Sequence, residues 1–168
     1  MRDFSPKVFI SVSSNPGRFG EIVHNAGYRY HKLNYIYKAI KIKNIKSIID
    51  SIKLLNISGC SVSMPFKEEV VMYLDRIDHL AKKVGAINTI LNKDGKLIGY
   101  NTDVYGAINA LSLIKIKKTD TVFIIGAGGV AKAIIVALNK IGVKKIFITN
   151  RGSKKIKSIK KKFKCDFI

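Results

Sequence analysis

The chain has 168 residues, is 47% hydrophobic and carries a formal net charge of +20. That apolar content excludes an intrinsically disordered chain and is enough for the core of one large or two small domains. The charge raises a nucleic-acid reading, but the lysines are scattered; only residues 154–164, with seven lysines in eleven positions, concentrate them, so a phosphate-rich partner there is the lesser alternative.

In chain order, residues 7–13 alternate and predict a first strand, followed by a Ser-Ser-Asn-Pro-Gly loop and a helix over 20–30. Residues 34–40 predict the second strand. Ile45, Ile48, Ile49, Ile52 and Leu55 recur at helical spacing, and a third strand follows at 57–62. Ser63-Met64-Pro65 ends that strand and predicts a helix through Val70, Val71 and Leu74, with the serine as cap and the proline in the first turn. Residues 87–91 and 96–100 predict two strands joined by Asn92-Lys93-Asp94-Gly95, a hairpin turn signal. Asn101-Thr102-Asp103 precedes an amphipathic helix over 104–114. The alternation of strands and helices predicts an α/β fold with parallel pairing.

Residues 122–130, Val-Phe-Ile-Ile-Gly-Ala-Gly-Gly-Val, then run an apolar strand into a glycine-rich turn, and a helix over 131–141 follows. This is the pattern of a dinucleotide pyrophosphate site. Gly126, Gly128 and Gly129 allow a sharp turn and a close approach, while the helix presents free N–H groups and its positive dipole end. Ala127 and Val130 complete the turn. Residues 145–149 predict the next strand, giving a βαβ unit with only two strands.

The end of that second strand is where the adenosine ribose lies, and a preference for NAD calls for an acidic residue there. Here the sequence is Asn150-Arg151-Gly152-Ser153-Lys154-Lys155, and no carboxylate occurs from Gly126 to Lys164. A guanidinium followed by two ammonium groups suits a 2′-phosphate, so NADP is the expected cofactor. Arg151 carries this reading, because Lys outnumbers Arg 26 to 5 in the chain; for Lys154 and Lys155 the solvated start of a helix is an equal alternative.

No metal site is expected, since His24, His31, His79 and the two cysteines lack ligand spacing. Tyr28 and Lys32 have the spacing of a short-chain dehydrogenase pair but lie upstream of the glycine turn. Lys67 and Asp103 are better acid/base candidates, because both sit at element termini, where a rigid sheet aims side chains into a cleft; a surface lysine remains the alternative. Cys60 and Cys165 are expected as reduced thiols. The sequence contains neither a signal core nor a run of about eighteen apolar residues. A cytoplasmic protein with no membrane partner is expected.

Five segments resemble signatures of the shikimate dehydrogenase family. Ser61-Val62-Ser63-Met64-Pro65-Phe66-Lys67-Glu68 is similar to the family's Asn-Val-Thr-x-Pro-(His/Phe)-Lys-Glu. Gly85-Ala86-Ile87-Asn88-Thr89, Gly99-Tyr100-Asn101-Thr102-Asp103, Gly126-Ala127-Gly128-Gly129 and Thr149-Asn150-Arg151 follow in the family's order. The resemblance implies a substrate-binding catalytic domain over 1–103 and the first part of a Rossmann-type NADP-binding domain over 104–168. It implies NADPH-dependent reduction of 3-dehydroshikimate to shikimate, with Lys67 as general acid/base, Asp103 as its partner, and Ser63 and Asn88 on substrate hydroxyls.

Two departures stand out. The family's first helix begins Ser-x-Ser-Pro-x-x-His, with both serines on the substrate carboxylate; the matching stretch before His24 is Arg18-Phe19-Gly20-Glu21. Ser11, Ser13 and Ser14 lie upstream, and Arg18 is placed to pair a carboxylate directly; the variant resembles the shikimate dehydrogenase-like subgroup, and the choice between shikimate and quinate stays open. The family's later nucleotide strands and its returning C-terminal helix have no counterpart in these residues, so a truncated enzyme is expected. The alternatives are a remnant that binds NADP or substrate without turnover, and a basic nucleic-acid-associated module. The residues do not specify an oligomeric state.

Overall fold

The computed structural model describes residues 6–152 together with positions 159, 163, 166 and 167. The chain divides into two compact units, Met1–Tyr100 and Asn101–Ile168. Both are α/β.

The first unit is built on a six-stranded sheet. Its strands are β1 (Lys7–Ser13), β2 (Tyr35–Lys41), β3 (Gly59–Val62), β4 (Arg76–Ile77), β5 (Thr89–Lys93) and β6 (Lys96–Tyr100), in the order β2-β1-β3-β5-β6-β4. β1 pairs parallel with β2 and β3, but β5 runs antiparallel to β3 and β6. The sheet is therefore mixed: the parallel pairing expected of alternating strands and helices holds for β1, β2 and β3, and the expected hairpin folds β5 back on β6 through the Asp94-Gly95 turn, with φ of 53° and 81°.

One sheet face is the core. Ile10, Val12, Cys60, Val62, Ile90 and Leu97 pack with Ile45, Ile49 and Ile52 of α2 (Ile45–Leu54), and the Asn44 side chain caps that helix through the Lys46 and Ser47 amides. On the other face Phe9, Tyr35 and Tyr37 meet Tyr28 and His24 of α1 (Phe19–Tyr30), with the His24 ring stacked 4.4 Å from that of Tyr37. Tyr28 is thus a packing residue. No residue of α1 is buried; besides these ring contacts, polar groups hold the helix to the edge strand. Asn25 accepts from the Tyr37 N–H at 2.9 Å and donates to the Tyr37 carbonyl at 2.8 Å, as a neighbouring strand would.

Three readings of this unit need correction. The helix expected after Pro65 is a turn, closed by the Phe66 N–H on the Ser63 carbonyl at 3.0 Å, followed by a short 3-10 helix, Glu69–Tyr73, whose N-cap is Glu68 and not Ser63. The third strand begins at Gly59 and the fifth at Thr89, each two residues later than expected. The periodicity gave neither β4 nor α3 (His79–Val84), which the Asp78 side chain caps at its start and Gly85, at φ 73°, ends. Gly99 allows close packing under β6, since a Cβ there would strike Leu74 Cδ1 and come within 2.9 Å of Ile87 Cδ1.

The second unit contains α4 (Thr102–Leu113), β7 (Thr121–Ile125), α5 (Gly129–Ile141), β8 (Lys145–Thr149) and β9 (Asp166–Phe167). Its sheet is parallel in the order β7-β8-β9, so it has three strands where the sequence predicted two; β9 has only two residues, too few to show a period. Ile124, Ile146 and Ile148 pack against Ile135 and Leu138 of α5, and α4 packs on α5. Gly142, at φ 98°, ends α5 in the left-handed conformation.

Candidate active site

In the first unit, the loop after β1 leads to α1 on one face, whereas the chain after β2 leads to α2 on the other. Such a reversal opens a crevice beyond the carboxyl ends of the strands, the usual binding place in sheets of this kind. Ser13 ends β1 at this position. It is 7% exposed, and its Oγ has no hydrogen-bond partner among the described residues. A buried hydroxyl without a partner is costly, so this atom fits a ligand's polar group. Ser11 lies two residues inside on the same face, opposite Ser61, and Arg18 is an exposed residue at the start of α1.

Ser63, Lys67 and Asn88 are brought to that same end by one hydrogen-bonded frame. The Ser63 N–H donates to Val12 O at 2.9 Å, the Val62 N–H to Asn88 O at 2.9 Å, and the Asn88 N–H to Tyr100 O at 3.0 Å. The Ile87 N–H donates to the Lys67 carbonyl at 2.7 Å, tying the lysine's turn to the residue beside Asn88. Lys67 is partly buried in this turn, not in the first turn of an α-helix as expected. Sequence reasoning missed Thr89, whose hydroxyl donates to Asn88 Oδ1 at 2.9 Å and orients that amide. No period marks such a contact; the signal available was a hydroxyl next to a candidate ligand.

Asp103 belongs to the second unit, in the first turn of α4. Asn101, which is 1% exposed, caps this helix by accepting from the Asp103 N–H at 3.1 Å. An Asn directly before a helical run was the signal for this second missed residue.

The glycine turn follows β7. Gly126 has φ 106°, a conformation that glycine adopts freely, and its N–H donates to Thr149 O at 2.8 Å. Gly128 is extended, so there and at Gly129 the need is for space. A Cβ on any of the three glycines would meet nothing within 4 Å among the described residues. The N-cap of α5, Gly128, makes no side-chain cap bond among the described residues, and the amides of Gly129 and Val130 lie at the positive end of a thirteen-residue helix. A diphosphate fits this cradle. Asn150 and Ala127, both candidates for contact with the cofactor, are joined by a hydrogen bond, the Ala127 N–H donating to Asn150 Oδ1 at 3.3 Å. Arg151 is exposed just beyond β8; Lys154 and Lys155 lie outside the described residues, as does Cys165.

Burial pushes the Cys60 thiol up to about 12, so it stays protonated at neutral pH and packs as a small apolar group. Among the described residues no three of His, Cys, Asp and Glu gather as a metal-binding group, and no helix is long and apolar enough to cross a membrane.

Comparison with known proteins bears on both units. A family model for the shikimate dehydrogenase substrate binding domain matches residues 19–90, and one for shikimate/quinate 5-dehydrogenase matches residues 109–167. The chain is similar to a shikimate dehydrogenase-like protein of Haemophilus influenzae, 38% identical over 145 residues that make up 86% of this chain and 54% of that protein. It is also similar to a shikimate dehydrogenase (NADP(+)) of Bacillus cereus, 39% identical over 159 residues, covering 91% of this chain and 57% of that protein. The solved structure of a shikimate 5-dehydrogenase-like protein superposes with a TM-score of 0.91 at 34% identity, over 100% of this chain and 62% of that one. The chain spans about half the length of the curated relatives it matches.

Proposed function

The chain belongs to the shikimate dehydrogenase family, and on that premise we propose that it takes part in the NADPH-dependent reduction of 3-dehydroshikimate to shikimate. The observation that carries this reading is the single hydrogen-bonded frame that holds Ser63, Lys67 and Asn88 at one end of the sheet, beside the Ser13 hydroxyl, which has no partner among the described residues. Such a frame fixes donors in place before substrate arrives, which is what proton transfer and substrate orientation require.

In this reading Lys67 donates a proton to the carbonyl oxygen that becomes the new hydroxyl, and takes it back in the reverse direction. Asp103, in the first turn of α4, takes the role of acid/base partner and hydroxyl acceptor that the family resemblance assigns to it. Asn88, oriented by Thr89, and Ser63 bind ring hydroxyls. Ser11, Ser13 and Arg18 receive the substrate carboxylate, Arg18 by direct charge pairing. NADPH, when bound, supplies the hydride. The glycine turn 126–130 holds its diphosphate, and Arg151 pairs its 2′-phosphate.

The test follows NADPH absorbance with 3-dehydroshikimate for the full chain and for Lys67→Ala. Turnover is expected to fall by roughly a hundredfold or more, the scale for losing a general acid/base. A wild-type chain that leaves NADPH unconsumed, or a mutant as fast as wild type, contradicts the reading.

A further inference from the structure

We propose that Asn150 is a positioning residue that sets the spacing between the two anion-binding ends of the nucleotide site, the glycine turn and the Arg151 loop. This rests on the reading that the second unit holds a dinucleotide. β7 and β8 pair in register from Thr121 with Lys145 to Ile125 with Thr149, and the Gly126 N–H extends the ladder by one bond to Thr149 O at 2.8 Å. There the backbones part, one toward α5 and the other into the Arg151 loop. The Asn150 side chain supplies the next rung: Oδ1 accepts from the Ala127 N–H at 3.3 Å, and Nδ2 donates to Gly152 O at 3.0 Å.

An asparagine amide is planar, with its acceptor and donor at fixed separation, so these two bonds tie the turn on one side to the loop on the other. Arg151 lies between the two anchored points, Asn150 and Gly152. The rung also engages the Ala127 amide and directs ligand binding to the following amides of the turn. The ligand class this arrangement fits carries two separated anions, a 5′-diphosphate over the helix and a 2′-phosphate at the loop. Asn150 acts on both ends at once, whereas a residue that only touched the 2′-phosphate would act on one.

Calorimetric titration of the full chain with ADP, NAD+, 2′,5′-ADP and NADP+ separates these roles. Asn150→Ala is expected to weaken all four ligands, ADP and NAD+ included, by about tenfold, whereas Arg151→Ala weakens only 2′,5′-ADP and NADP+. Asn150→Asp keeps the acceptor for the Ala127 N–H and loses the bond to Gly152, so ADP binding should recover toward wild type while the 2′-phosphorylated ligands stay weak. A second readout needs no ligand: amide exchange over 126–130 should quicken in Asn150→Ala while the core amides of Ile135 and Leu138 keep their protection. Unchanged ADP and NAD+ affinity in Asn150→Ala, or unchanged exchange over 126–130, overturns the inference. If wild type binds none of the four ligands, the dinucleotide reading fails with it, while exchange still decides whether Asn150 braces the turn.

Discussion

The two sheets finish their edges in opposite ways. In the first unit the outer backbone of β2 is closed by side chains of α1: Asn25 takes both polar groups of Tyr37, and Glu21 accepts from the Ala39 N–H at 3.2 Å. In the second unit β7 is an edge of the described sheet, and only one of its faces is covered. Ile124 is buried against α5, whereas Phe123 and Ile125 on the opposite face are 64% and 90% exposed, with Phe123 stacked 5.2 Å from Phe147. Residues Val122, Phe123, Ile124 and Ile125 are apolar without alternation, the pattern of a strand suited to burial on both faces. Polar side chains can close an edge locally, but an apolar strand face has no such remedy and keeps its surface in water until something covers it.

Breaking the polar closure is expected to have the largest effect. Asn25→Ala leaves the N–H and carbonyl of Tyr37, itself 6% exposed, without their partner. The expected loss is about 1–3 kcal/mol, read as a lower midpoint in denaturant; an unchanged midpoint would mean that α1 contributes nothing to the edge.

The Glu21 contribution is smaller and depends on pH. The Lys38 ammonium, then the Ala39 N–H, hold its carboxyl below the usual carboxylate range. A carboxyl lowered on folding stabilises fully above its unfolded value, and that stabilisation is lost as pH falls through the lowered one. The protection of the Ala39 amide, its exchange rate relative to that of an unstructured chain at the same pH, should therefore fall on acidification in wild type, and Glu21→Gln should flatten that response. Sharpening the other side of the comparison needs Ile125→Lys, which should change stability by no more than about 0.5 kcal/mol because the side chain is already in water. A large loss of stability would show that this face is covered.

The sequence made the regular elements legible where period and turn chemistry agreed. The strand over 7–13 alternates apart from Phe9, and the hairpin carries an Asp-Gly pair at the two positive-φ positions its turn demands. The segment after Pro65 was misread because a serine before proline suits a tight turn as well as a helix cap. β4 is too short to show a period, while α3 carried legible ends in Asp78 and Gly85 that its six residues did not support with a pattern. Lys67, Ser63 and Asn88 were readable as residue types in a motif. Thr89, Asn101 and the bracing role of Asn150 were not, since a sequence names a donor or acceptor without naming the group it meets.

The assignment of this chain as a reader of the 2′-phosphate rests on Arg151, and calorimetry of the whole chain with NADP+ and NAD+, in wild type and Arg151→Ala, decides it. Wild type should bind NADP+ more tightly than NAD+, and Arg151→Ala should remove about tenfold of that preference while leaving NAD+ unchanged. Equal affinity of wild type for the two nucleotides, or a preference that survives intact in Arg151→Ala, would contradict it.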